Sequence, residues 1–114
     1  DADACAAARH DAPHGFEVMA GRVEERLGEC LPADVVIVNP PRTGLTEDVP
    51  GILLTASAGL LVYVSCDPAT LARDAARLSP RYSLTALRSF DLFPQTAHVE
   101  TVAVFTLQAP SVEA

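Results

Sequence analysis

Cys66, Glu100, Asn39 and Arg42 are the residues whose types and positions could do chemistry, because each stands at the end of an apolar run. Cys66 follows Leu60 to Val64 and directly precedes Asp67-Pro68, a helix cap followed by a first-turn proline. A thiol there lies in the positive field of a helix amino terminus, which favours the thiolate, its nucleophilic form. Glu100 opens an apolar run to Leu107 and offers a carboxylate that can take up a proton. Asn39 and Arg42 follow Ala33 to Val38 and offer an amide and a guanidinium, groups that bind polar edges and phosphates. Taken singly, each also has an ordinary reading: a core thiol, a surface acid, a loop cap and a surface charge.

The elements around them decide whether they can meet. Ala2 to Ala12 is alanine-rich and reads as a helix closed by Pro13 and Gly15. Phe16 to Met19 is a short strand candidate, and Arg22 to Glu29 has helical spacing through Val23 and Leu27. Ala33 to Val38 is a β-branched run without alternation, as expected of a strand buried on both faces of a parallel sheet. Asn39-Pro40-Pro41-Arg42-Thr43-Gly44 ends it, since two prolines cannot continue a ladder. Glu47 to Ala58 reads as a helix stopped by Gly59, and Leu60 to Val64 as a second buried strand. A helix from Asp67-Pro68 to about Leu78 follows, then strands at Tyr82 to Phe90 and Glu100 to Leu107. The nine-residue connection Asp91 to Val99 has no room for a crossover helix, so the last two strands run antiparallel to each other. The outline is an α/β domain whose parallel sheet carries one reversed strand. In such sheets ligands bind at the carboxyl edge of the parallel strands, where Asn39, Cys66 and Glu100 converge.

Two stretches make the pattern specific. Asn39-Pro40-Pro41-Arg42-x-Gly44, sixteen residues, then Leu61-Val62-Tyr63-Val64-Ser65-Cys66-Asp67-Pro68-Ala69-Thr70-Leu71-Ala72-Arg73-Asp74 form the first. Phe90-Asp91-Leu92-Phe93-Pro94-Gln95-Thr96-Ala97-His98-Val99-Glu100 forms the second. Together they resemble the RNA uracil-5-methyltransferase family, firmly from about Asp34 to Phe105. The resemblance implies a class I, Rossmann-like S-adenosylmethionine-dependent methyltransferase sheet with strand order 3-2-1-4-5-7-6, here incomplete. It implies Cys66 as nucleophile and Glu100 as base. Asn39 is implied at the target base or cofactor, and Arg42 and His98 at the RNA substrate. Uracil C5 attacks a methyl group poorly. A thiolate added at C6 makes C5 enolate-like, and a base must then remove the C5 proton before the thiolate leaves.

The sequence departs from the family at two points. Position 39 is usually Asp and is Asn here, which keeps an acceptor oxygen but no charge for the uracil imide N–H. Position 67 is usually Asn and is Asp here, a carboxylate beside the nucleophile that would disfavour ionisation of the thiol. The reading is the distal part of a methyltransferase domain over residues 1–108, with 109–114 as a tail. The family's glycine-rich cofactor loop and RNA-binding accessory domains have no counterpart in these 114 residues, so the segment alone is expected to be inactive.

Bulk properties agree with a catalytic segment more than an RNA-gripping one. Eight arginines, no lysine and fifteen acids give a net charge of −7, the wrong sign for a chain that holds RNA by itself. RNA, transfer or ribosomal, is therefore expected to be held elsewhere. Cys5, Cys30 and Cys66 are too scattered for a disulfide framework or a metal site, and no metal is expected. No apolar run approaches the length of a membrane span, no membrane association is expected, and the expected setting is the cytoplasm. An unpaired strand edge, where the earlier strands of such a sheet would lie, is an expected self-association site. Two other readings remain open here: an amino-group methyltransferase using Asn39-Pro40-Pro41, and a non-catalytic fragment that keeps the fold.

Overall fold

β-Branched runs, a capped amphipathic stretch and proline-bounded loops condense into one four-stranded sheet in the computed structural model, which describes residues 2–92 and 99–108. In chain order the elements are α1 (Ala2–Asp11), α2 (Val23–Arg26), β1 (Val35–Val38), α3 (Asp48–Ala56), β2 (Leu60–Ser65), α4 (Pro68–Leu78), β3 (Tyr82–Phe90) and β4 (Glu100–Leu107). A 3-10 turn over Leu27–Cys30 continues α2. The strands lie in the order β1-β2-β4-β3. β1 and β2 are parallel, with Val38 beside Tyr63. β4 runs antiparallel to both β2 and β3, pairing Ser65 with Thr101 and Phe90 with Glu100. This is the distal part, 4-5-7-6, of the expected order.

The helices α3 and α4 cover one face. From α4, Leu71, Asp74 and Leu78 point inward at helical spacing. Val49 and Leu53 of α3 join Val36, Val38, Leu61, Tyr63, Ala103 and Phe105 of the sheet in the core. Burying a leucine such as Leu53 or Leu61 stabilises the fold by roughly 2 kcal/mol. Tyr82 closes one end of the core, its hydroxyl donating to the Ala58 carbonyl at 2.7 Å. Among the described residues no helix is long and apolar enough to cross a membrane.

Three expectations are corrected. Phe16 to Met19 is not a strand: the segment has no regular structure and Phe16 is 61% exposed. A strand exists only by pairing, and among the described residues nothing pairs with it. β1 is not buried on both faces. Its burial alternates, leaving Val35 and Ile37 at 50% and 69% exposure, because helices pack on one face only. α3 ends before Gly59, with Ser57 in the left-handed conformation at φ 58°. Among the described residues, the outer edge of β1 pairs with no strand.

Candidate active site

The strand-to-helix turn that carries Cys66 is fixed from both sides. The Ser65 hydroxyl donates to the Asp67 carbonyl at 2.8 Å and accepts from the Asp67 N–H at 3.1 Å, bridging across Cys66. Asp67 then caps α4, its Oδ1 accepting from the N–H groups of Ala69 (2.9 Å) and Thr70 (3.1 Å). The Asp67 carboxylate is thus turned toward the helix backbone. Asp67→Ala should cost about 1 kcal/mol of stability, whereas Asp67→Asn keeps the cap and should stay within a few tenths. Urea unfolding midpoints of the two variants check this. Cys66 is a free, half-buried thiol.

Sheet register positions the remaining groups. Ser65 pairs with Thr101, the last pair of the β2–β4 ladder, so Cys66 and Glu100, each one residue beyond it, stand at the same end of the sheet. By strand alternation Glu100 belongs with Val102 and Val104, on the face that α3 and α4 leave open, whereas Cys66 lies in the turn after β2. Asn39 follows Val38, level with Val64 on the neighbouring strand, and is exposed. Asn39, Cys66 and Glu100 therefore share one sheet edge. His98 lies outside the described residues, as does the Phe93–His98 part of the second motif.

The loop after Asn39 is held by α4. The Thr70 hydroxyl donates to the Arg42 carbonyl at 2.8 Å, and the Arg73 guanidinium to the Thr43 carbonyl at 2.6 Å. The Leu45 N–H donates to Asp74 Oδ2 at 2.9 Å, and the Tyr63 hydroxyl donates to the same oxygen at 2.5 Å. Arg73 and Arg77 approach the other carboxylate oxygen at 3.3 and 3.6 Å. The Tyr63 phenol is pushed well above its ordinary value, first by burial and then by the bond to Asp74, so it remains a donor. Arg42 itself is exposed, and among the described residues its guanidinium has no hydrogen-bond or ion-pair partner. Its backbone is anchored through the Thr70 hydroxyl.

Gly44 is needed at the centre of this loop. It sits at φ +84°, where an added Cβ would fall 2.2 Å from Thr70 Cγ2 and 2.7 Å from Asp74 Oδ2. Gly44→Ala combines backbone strain with overpacking and should destabilise the chain by about 3 kcal/mol, read as a lower urea midpoint.

Sequence reasoning gave no role to Tyr63, Ser65, Thr70, Arg73 or Asp74. One signal was available: an acid at position 74, between Leu71 and Leu78 on the apolar stripe of α4. A cleft of about 490 Å³ opens at the end of β1, lined by Val23, Leu27, Val38, Asn39, Pro40 and Leu45. Cys66 and Glu100 do not line it, so those two residues and this cleft are separate features. Among the described residues, no three His, Cys, Asp or Glu side chains group to hold a metal ion.

Known proteins similar to this chain are RNA methyltransferases. The family model for tRNA (uracil-5-)-methyltransferase matches residues 22–108. An uncharacterised RNA methyltransferase of Nitratidesulfovibrio vulgaris is 46% identical over 89 residues, covering 78% of this chain and 19% of that protein. One of Staphylococcus aureus (strain COL) is 44% identical over 94 residues, covering 79% and 21%. The crystal structure of Pyrococcus abyssi tRNA (uracil-54, C5)-methyltransferase in complex with S-adenosyl-L-homocysteine superposes with a TM-score of 0.63 at 42% identity, covering 67% of this chain and 19% of that one. The chain thus spans about a fifth of the length of the relatives it matches. With the sheet order and the matched motifs, these similarities assign the fold, that of an S-adenosylmethionine-dependent methyltransferase, and the chain belongs to the tRNA (uracil-5-)-methyltransferase family.

Proposed function

We propose that this chain supplies the reacting edge of an enzyme that methylates uridine C5 in tRNA or rRNA, through a covalent bond between Cys66 and uracil C6. The Ser65–Thr101 pair that ends the β2–β4 ladder, with Cys66 and Glu100 next to it at the same sheet end as the Asn39 loop, supports the reading. The related archaeal enzyme's named target, uracil C5 in tRNA, supports it. S-adenosylmethionine would supply the electrophilic methyl group. This chain's own contribution to holding it is Asn39 at the strand end, an exposed amide that can both donate and accept, and the rest of the cofactor site is ascribed to a glycine-rich loop outside these residues.

Each group has one task. The Cys66 thiolate adds to C6, and the electron pair displaced from the C5–C6 double bond makes C5 the nucleophile. Asn39 holds the base or cofactor edge in register, and Arg42, anchored through its carbonyl, meets an RNA phosphate. After methyl transfer Glu100 accepts the C5 proton, the C5–C6 double bond re-forms and Cys66 leaves as thiolate. The decisive experiment incubates a polypeptide of family length carrying this segment with S-adenosylmethionine and tRNA or rRNA transcripts. Nucleoside mass spectrometry should show 5-methyluridine. Methylation of an exocyclic amine instead would favour the Asn39-Pro40-Pro41 amino-group reading, and no methylation would favour the non-catalytic one.

The 114-residue chain by itself should self-associate through the outer edge of β1, where Val35 and Ile37 are exposed. Ile37→Lys should restore a monomer by sedimentation velocity, because a charge on an open edge strand opposes pairing. An unchanged distribution would place the contact elsewhere.

A further inference from the structure

Asp74 is the most deeply buried charge described in the chain, at 0% exposure, yet it lies under the Asn39-to-Leu45 loop and not at the reacting groups. Three side chains from one helix face, Thr70, Arg73 and Asp74, grip three nearby backbone groups of that loop: the carbonyls of Arg42 and Thr43 and the N–H of Leu45. Tyr63 binds the same carboxylate from β2, three residues before the nucleophile. A well-packed apolar residue in place of a buried ion pair is often as stable or more so. Stability alone therefore gives little reason for a carboxylate here, whereas its four directed contacts fix geometry.

We propose that Asp74 is a positioning residue for uridine methylation: through Leu45 and Tyr63 it latches the loop bearing Asn39 to the strand and helix that flank Cys66. This rests on the proposed function. The latch ties two segments that approach the base from different strands, so the Asn39 amide and the Cys66 sulfur are presented at a fixed separation. Thr70 works beside it, using the same helix that Asp67 caps immediately after Cys66. Loss of the latch leaves both reactive groups chemically intact but lets the loop drift, and a displacement of about 1 Å costs on the order of a hundredfold in rate.

The test uses a polypeptide of family length carrying this segment, assayed on RNA well below its melting temperature. Asp74→Asn should lower kcat on the order of a hundredfold, while the rate of iodoacetamide alkylation of Cys66 (with Cys5 and Cys30 replaced) is unchanged. Thr70→Val, which leaves the buried charge in place, should lower kcat on the order of tenfold, and Thr70→Ser should restore it. Because Asp74 acts through the Asn39 loop, Asp74→Asn combined with Asn39→Ala should lose less than the product of the two single losses. Wild-type kcat in Asp74→Asn or Thr70→Val, or full multiplication in the double variant, overturns the proposal. Should the unsubstituted enzyme form no 5-methyluridine, the functional reading fails first and the proposal with it, a result visible before any variant is compared.

Discussion

Alanine at position 66 should abolish uridine methylation, lowering kcat/KM by about four orders of magnitude or more, equivalent to roughly 5.5 kcal/mol of transition-state stabilisation. In the proposed mechanism, removing the thiolate leaves no covalent bond at C6, and C5 does not gain the electron density needed to take a methyl group. The fold should survive the change. Cys66 is only half-buried, and the turn around it is held by Ser65 and Asp67 through hydroxyl, carboxylate and backbone, not through the sulfur. The measurement has two parts: 5-methyluridine formation, and covalent trapping by RNA containing 5-fluorouridine, in which fluorine at C5 blocks proton removal. Both should vanish together in Cys66→Ala, with the circular dichroism spectrum and urea midpoint near wild type. Methylation at the wild-type rate would remove Cys66 from the mechanism.

Glu100→Gln should fail differently. Glutamine fills the same space at the start of β4, where Glu100 pairs with Phe90, so strand pairing is kept. Addition of Cys66 and methyl transfer precede the base's step and should still occur. Proton removal from C5 should not, and the enzyme should stall as a methylated RNA–protein adduct with natural, unfluorinated RNA. Turnover should fall by about three orders of magnitude, within the range that a positioned acid–base group contributes. On a denaturing gel the variant should show a shifted, RNA-bearing band that wild type lacks. Normal release with no such band would assign the proton to another group, and His98 is the first to try, since it lies two residues away in the same motif. The pair of variants is informative because they stop the same reaction on opposite sides of methyl transfer.

Much of this protein was determined locally and so was legible in the sequence. Asp67-Pro68 sets the start of α4 because a carboxylate cap and a fixed proline φ act within one turn. The bounds Tyr82–Phe90 and Glu100–Leu107 follow from alternation of apolar and polar residues in the first and a β-branched run in the second. The two prolines after Asn39 end β1, and the short Asp91-to-Val99 connection dictates an antiparallel pair. The reactive types and their strand-end positions were equally plain. Tertiary structure alone decided what depends on distant partners. Phe16 to Met19 has strand composition but, among the described residues, no strand to pair with, and β1 has an unbroken apolar run but, among the described residues, helices on one face only. That Glu100 comes to the same end of the sheet as Cys66 is a matter of register between segments more than thirty residues apart. The grip of α4 on the Asn39 loop consists of hydrogen bonds spanning 28 to 30 residues, invisible to any local pattern. An acid on an apolar stripe looks like a misplaced charge in the sequence. In the fold it is buried because a loop's N–H, a tyrosine hydroxyl and two guanidiniums converge on it and satisfy both its oxygens.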